Sequence, residues 1–323
     1  MAGLSLRRTR LTRHLRELAR SVQLDRSQLI QPLFAVAGLT EREPVPGIDA
    51  VYRDTPASLL RQIEEDLAAG IDKFLLFAVP GEKRDQDFEH DFAVECIEEI
   101  KQGFGTELWL AVDVCLCSHT THGHCGLLNE AGDYVINDAT VAELARAAAA
   151  FAAAGADCVA PSDMMDGRVA AIRTALDQAG LARCAIMSYA AKFQSQFYGP
   201  FRDAADSAPV APQLRDRASY QLDPARPADA LRCARRDADE GADLLMVKPG
   251  LPYLDVLARL SAEIPLPWAV YQVSGEQAAI DLLAHAGLAK RDAAQLESWL
   301  AFRRAGATAI ISYAARRGVA LQQ

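Results

Sequence analysis

Two lysine residues end apolar segments that resemble buried strands, and a lysine in that setting can act as a nucleophile. Lys248 ends the apolar run 244–247 and is followed by a Pro-Gly pair, which stops a strand. Lys192 ends a second apolar run, 184–191. Burial disfavours the ammonium form of lysine, which lowers its pKa and leaves free amine near neutral pH. A free amine can attack a carbonyl group and form a Schiff base.

The plainer interpretation of each residue alone is a lysine whose stem is buried while its ammonium group reaches water. The lysine content argues for chemistry, because the chain has six lysines against 28 arginines and places two of the six at apolar strand ends. Arginine cannot replace lysine in amine chemistry because it stays protonated.

A cluster of cysteines and histidines lies at the end of the third predicted strand and in the loop beyond it. Asp113 is followed by Cys115, Cys117 and Cys125, with three histidines between residues 119 and 124. Three thiolates leave a fourth tetrahedral position for water or substrate, which is the pattern of a catalytic zinc site. We predict that this cluster binds a metal. The histidines could instead complete a closed structural site, and a reduced cysteine cluster without metal is the other alternative.

Polar residues at other strand ends and loops could bind a substrate. Ser162 and Asp163 follow the fourth predicted strand, although this stretch also suits the start of a helix with Asp166 as its N-cap. Arg202 and Arg217 lie in a long loop, and arginine binds carboxylates through two parallel hydrogen bonds.

Two further candidates carry a weaker signal. Ser274 ends the seventh predicted strand and Tyr313 lies in the eighth. A helix N-cap explains the serine equally well, and a core aromatic explains the tyrosine.

The composition is that of an ordinary globular protein. The chain has 323 residues, half of them hydrophobic, and a net charge of −9, which argues against general nucleic-acid binding. No apolar stretch approaches the ~20 residues of a membrane span, and no secretory signal is evident. Seven cysteines, an odd number, favour a reducing compartment over a disulfide framework. We therefore expect a cytoplasmic protein.

Eight strand-like runs alternate with helical stretches after residue 28, which predicts a parallel sheet with helical crossovers. Because the runs are apolar throughout, we predict an α/β fold of the (β/α)8 TIM-barrel type over residues 29–323. An open doubly wound sheet is the alternative, but no glycine-rich dinucleotide motif follows the first strand. The predicted strands are 29–36, 73–79, 108–116, 158–163, 184–191, 244–249, 268–273 and 309–315.

Three connections after strands are long enough to build a site: 37–54, 117–139 and 193–226. In such barrels these loops lie on the C-terminal face, and we predict that 193–226 is a mobile lid. Residues 1–28 are rich in arginine and carry leucines at helical spacing. An arm that contacts another subunit is the favoured interpretation, and an organelle transit peptide is the alternative.

Together these motifs resemble the porphobilinogen synthase (5-aminolevulinate dehydratase) family of the zinc type. The resemblance runs from about Leu29 to Tyr313. It rests on the sequences around the two lysines, on the three-cysteine stretch, and on residues 160–168 and 271–276.

This resemblance implies that two 5-aminolevulinate molecules are joined into porphobilinogen with loss of two waters, in haem biosynthesis. The family binds its two substrate molecules at two positions, called the P side and the A side. Lys248 would form a Schiff base with the P-side substrate and Lys192 with the A-side substrate. Zinc on the three cysteines would act as a Lewis acid. The implied A-side carboxylate ligands are Arg202, Arg217 and Gln221, the P-side ones are Ser274 and Tyr313, and Asp113 and Ser162 line the P site. The family's arm implies a homo-octamer.

One position departs from part of the family. Where many bacterial members have a glutamate that binds an allosteric magnesium, this chain has Cys233, and magnesium prefers oxygen ligands. Arg236 stands where other members use an arginine. Two rival functions remain: a class I aldolase, which needs one lysine and no metal, and a zinc- or redox-responsive binding protein.

Overall fold

The computed structural model describes residues 6–317 and contains eight parallel strands that close into a barrel. Two further short strands lie in the loop after β1, so the barrel consists of β1 and β4–β10. Each predicted strand is present within a few residues of its predicted bounds. The strands are β1 (Leu29–Val36), β2 (Glu43–Pro44), β3 (Tyr52–Asp54), β4 (Lys73–Val79), β5 (Trp109–Val114), β6 (Cys158–Pro161), β7 (Ala185–Lys192), β8 (Leu244–Lys248), β9 (Trp268–Gln272) and β10 (Ala309–Ser312).

Helices follow the barrel strands and cover the outside of the barrel. Glycines at positive φ come directly after four of these helices, where a residue without Cβ turns the chain into the next strand: Gly70, Gly155, Gly241 and Gly306. The helices are α1 (Arg13–Leu18), α2 (Pro56–Ala68), α3 (Asp91–Phe104), α4 (Asn137–Ala153), α5 (Arg168–Gln178), α6 (Gly199–Ala204), α7 (Pro227–Asp239), α8 (Leu254–Glu263), α9 (Ser274–His285) and α10 (Arg291–Arg304), with short 3-10 helices at Arg8–Arg10, Arg26–Gln28, Gln196–Tyr198 and Leu251–Tyr253.

The barrel closes because its last strand pairs with its first. Neighbouring barrel strands pair in parallel in sequence order, and Leu29 of β1 lies opposite Ile310 of β10. The predicted TIM barrel is therefore confirmed, and the open doubly wound sheet is excluded. In this fold the C-terminal ends of the strands meet at one mouth.

Alternation along the strands divides the core into two layers. On β1, Ile30 and Phe34 belong to a cluster inside the barrel, whereas Leu29 and Leu33 belong to the layer between strands and helices. Successive side chains of a strand point to opposite faces, so both faces of each strand are buried. This explains why the strands are apolar throughout.

Two of the three long loops pack on the inner cluster of the barrel. Val45 and Val51 of the loop 37–54 pack on the inner cluster, and so do Tyr198 and Ala204 of the segment 193–226. The segment 193–226 thus lies over the strand ends as expected of a lid, and its mobility stays a prediction.

The N-terminal segment presents apolar side chains to solvent. Helix α1 is short; Leu11, just before it, is 64% exposed, and Leu18, its last residue, is 83% exposed. These leucines are therefore largely uncovered within the described residues, and the role of the segment as an arm stays a prediction. No helix among the residues described is long and apolar enough to span a membrane.

Candidate active site

The two lysines lie side by side at the mouth of the barrel. Lys192 is the last residue of β7 and Lys248 the last of β8, and the two are register partners across these parallel strands. Each is at most 5% exposed. The sequence prediction that both lysines end buried strands is confirmed, and their register places both on the same rim of the barrel.

Aromatic rings surround the Lys248 amine. Its Nζ lies 4.0 Å from the ring centroid of Tyr271, 4.8 Å from that of Phe201 and 5.1 Å from that of Tyr189. Burial, followed by the charge of Lys192, lowers the pKa of Lys248 to about 7. Much of this lysine is therefore free amine near neutral pH, as a Schiff-base nucleophile requires.

The Lys192 amine has a polar environment. Its Nζ donates a hydrogen bond to the backbone carbonyl of Ser162, and the Ser162 hydroxyl donates to Asp113 Oδ2 at 3.2 Å. Burial raises the pKa of Asp113 to about 6, although the charge of Lys192 opposes the rise. Asp113 Oδ1 has no hydrogen-bond partner among the described residues, so this carboxyl can accept or hold a proton.

The three predicted cysteine ligands converge in a pocket beyond β5. The sulfurs of Cys115, Cys117 and Cys125 all lie within 4.8 Å of one another and are buried. A metal bound tetrahedrally at about 2.3 Å by three sulfurs would hold them about 3.8 Å apart, so small movements suffice for ligation. The donor set is soft, which suits zinc and excludes a hard cation such as magnesium. The residues therefore fit the predicted metal.

The predicted carboxylate ligands of the lid lie close to the cysteines. Arg217 is buried and donates to the backbone carbonyls of Ser207 and Gly123 at 2.6 and 3.0 Å. Burial of Arg202, followed by the charge of the neighbouring Arg217, lowers the pKa of Arg202. Nε of both arginines and Nε2 of Gln221 have no partner among the described residues. These free donors can bind an anion.

The remaining candidates lie across the mouth, on the Lys248 side. Tyr313 is buried, and its hydroxyl is 3.1 Å from the Tyr271 hydroxyl. The Ser274 hydroxyl accepts a hydrogen bond from the Phe201 amide at 3.0 Å and so links α9 to the lid. Ser274 is the first helical residue, not the N-cap.

The suggested N-cap role of Asp166 is wrong. Gly167 occupies the N-cap position of α5 in a left-handed conformation, and no side chain caps the helix there. The Asp166 carboxylate instead accepts a hydrogen bond from Arg236 of α7. Because Gly167 takes the N-cap position with a positive φ, Asp166 does not cap the helix and its carboxylate can form this ion pair.

Sequence reasoning missed several residues that shape the site. Tyr189 and Tyr271 lie on strands, where their sequence context is that of core aromatics, and no local pattern separates the two roles. Arg168 is fully buried and bonds Ser188 and Asp237, which ties the start of α5 to β7 and α7. Its only signal was a charged residue inside a long motif.

A TIM barrel with two buried lysines, one of low pKa, beside a buried thiol cluster is an arrangement suited to the class of enzymes that activate carbonyl substrates. Comparisons with known proteins agree with that class. The family model described as delta-aminolevulinic acid dehydratase matches residues 4–321. The Bacillus subtilis delta-aminolevulinic acid dehydratase is 42% identical over 314 residues, covering 96% of this chain and 95% of that one. The Bos taurus protein of the same name is 45% identical over 301 residues, covering 91% and 90%.

A solved structure extends the match to the fold. The delta-aminolevulinic acid dehydratase (porphobilinogen synthase) of Toxoplasma gondii, in complex with the reaction product porphobilinogen, superposes with a TM-score of 0.92. It shares 38% identity, over 98% of this chain and 91% of that one. The chain belongs to the delta-aminolevulinic acid dehydratase family. It is accordingly a lyase of porphyrin synthesis that forms porphobilinogen from 5-aminolevulinate, as the sequence predicted.

Proposed function

We propose that Lys248 and Lys192 each form a Schiff base with one 5-aminolevulinate molecule. The observation that carries this is the register pairing of two buried lysines at adjacent strand ends. Each amine attacks the ketone carbon of its substrate, and loss of water leaves an imine. A protonated imine withdraws electrons, so a proton on the next carbon can be removed and a new carbon–carbon bond can form. Holding both substrates on one rim makes the condensation effectively unimolecular.

Two sets of polar groups hold the substrate carboxylates. On the A side, Arg202, Arg217 and Gln221 supply donors that have no other partner at Nε or Nε2. On the P side, Ser274 and Tyr313 supply hydroxyl groups.

Near the amines, Asp113 and Ser162 form a hydrogen-bonded pair beside Lys192 that can move protons. The sequence resemblance assigns this pair to the P site, and the Ser162 backbone carbonyl also accepts a hydrogen bond from the Lys192 amine.

Cys115, Cys117 and Cys125 would hold a catalytic zinc ion. Their soft, buried thiols support zinc over harder metals. Bound there, zinc would act as a Lewis acid toward oxygen groups of the A-side substrate. Arg217, which donates to the Gly123 carbonyl in the loop of the cysteines, and Gln221 would orient that substrate toward the cluster.

We also propose a homo-octamer whose arms, residues 1–28, cover neighbouring subunits in the cytoplasm. The exposed leucines around α1 support this, because such side chains are stabilised when another surface covers them. Residues 193–226 serve as the lid and order further when a carboxylate reaches its arginines. We expect no appreciable activation by magnesium, because Cys233 stands where the family resemblance implies a glutamate ligand.

Borohydride reduction in the presence of 5-aminolevulinate tests the lysine roles. Reduction converts each imine into a stable amine, and peptide mapping then locates the label. We expect label on both lysines. Label on only one lysine, with activity unaffected by chelation, would favour the aldolase type of mechanism, and label on neither would overturn the proposal.

A further inference from the structure

Glu276 is a buried acid that the site described above does not use. It lies in the first turn of α9 and is 3% exposed. Its carboxylate oxygens accept hydrogen bonds from three backbone amides: Leu251 at 2.6 Å, Val273 at 2.7 Å and Gly250 at 3.1 Å. Because a carboxylate can accept several such bonds, each of these amides is satisfied by one side chain.

These three amides belong to two different turns. Gly250 and Leu251 follow Lys248 at the end of β8, whereas Val273 directly precedes Ser274 at the end of β9. One carboxylate therefore joins the turn that carries the imine-forming lysine to the turn that carries a carboxylate-binding hydroxyl. Burial raises the pKa of Glu276 to about 7, and the three amide bonds oppose that rise.

The glycines of both turns are closely packed. A Cβ on Gly250 would lie 2.6 Å from a ring carbon of Phe302, and one on Gly275 would lie 2.7 Å from the Phe197 carbonyl oxygen. Both turns are thus seated against neighbouring elements. The Glu276 carboxylate is hydrogen-bonded to both of them.

We propose that Glu276 is a positioning residue that fixes the Lys248 amine relative to Ser274. The inference rests on the proposed function of Lys248. The P-side substrate has a fixed number of bonds between its ketone carbon and its carboxylate, so both ends are held only if the two turns keep a set separation. Glu276 sets that separation, while none of its three amide partners lies on β7, the strand that carries Lys192.

The test is the Glu276→Gln variant, with 5-aminolevulinate and borohydride, read as label on Lys248 relative to Lys192. An amide has one acceptor oxygen and would set its NH2 group against a backbone donor. We expect the Lys248 to Lys192 label ratio and kcat to fall by about 10- to 100-fold, as for other residues that orient a reacting group. Labelling of Lys192 should keep its wild-type rate.

The matched control is Glu297→Gln, which removes an exposed acid on the neighbouring helix α10 and should change neither readout. Should Glu276→Gln fail to fold, Glu276→Asp keeps the charge but is too short to reach all three amides, and the same ratio applies. An unchanged ratio, or equal loss of label on both lysines, would overturn the inference. Absence of label on Lys248 in the wild type would instead overturn the proposed function.

Discussion

The two lysines occupy neighbouring positions of one rim in contrasting surroundings. Lys248 is enclosed by aromatic rings, and the ring closest to its amine is that of Tyr271. Lys192 contacts the Ser162 carbonyl and lies next to Asp113, on the side of the cysteines. The two substrates are identical molecules, so any difference in what happens to them must come from the protein. An aromatic enclosure favours a neutral amine, and a polar one favours proton transfer.

Removing the amine on the aromatic side should have the largest effect. Lys248→Arg should lower turnover by at least about a thousandfold, in the range seen when a nucleophile is removed, because arginine cannot form an imine. Steady-state assay of porphobilinogen measures it, and circular dichroism checks that the fold survives. The control is Lys290→Arg at an exposed lysine. Residual activity above a tenth of wild type would show that Lys248 is not the essential amine.

Loss of the cysteine cluster, which lies on the Lys192 side, should have the second largest effect on activity. Chelation, or Cys125→Ser, should lower activity by about a hundredfold, and added zinc should restore only the chelated wild type. Metal content by mass spectrometry and activity are measured together.

Cys233→Ser is the matched control for that experiment, because Cys233 lies on α7, outside the cluster. If a fully demetallated enzyme kept normal activity, the three thiols would not hold a catalytic metal.

Much of this comparison could be predicted from sequence, and part of it could not. The continuous apolar runs placed both lysines at strand ends, because a fully buried strand is apolar up to its last residues. The aromatic enclosure of Lys248 could not be predicted, since Tyr189, Phe201 and Tyr271 come from separate elements that only the closed barrel brings together. Asp166 was misjudged because Gly167 provides the positive φ that begins α5. Local sequence reports spacing along the chain, whereas these contacts depend on tertiary packing.

The electrostatic coupling of the two amines can be measured through pH. The Lys192 charge helps lower the pKa of Lys248 to about 7, so free amine is lost as pH falls below that value. In Lys192→Met the like charge is gone, and the pKa of Lys248 should rise. In Asp113→Asn an opposing negative charge is gone, and that pKa should fall.

The rate of borohydride trapping at Lys248, followed from pH 5 to 10, gives the midpoint in each variant. We expect the midpoint to move to higher pH in Lys192→Met and to lower pH in Asp113→Asn. Midpoints that stay together in all three proteins would mean that the amines do not interact, and the contrast would then rest on burial alone.

Magnesium should have the smallest effect, because the acids near Cys233 on α7 are paired with arginines. Arg236 of this helix is engaged by Asp166 and by Asp237 at 2.9 Å, and Arg235 pairs with Glu263 at 2.7 Å. The acids near Cys233 are thus already neutralised by arginine, and a thiol does not attract a hard cation. With zinc held constant, a magnesium titration to several millimolar should change activity by less than about twofold. Sedimentation over the same range should show one oligomer. Activation beyond that, accompanied by a larger assembly, would mean that magnesium displaces an arginine from Asp166 or Asp237, and that the Cys233 substitution does not abolish the site.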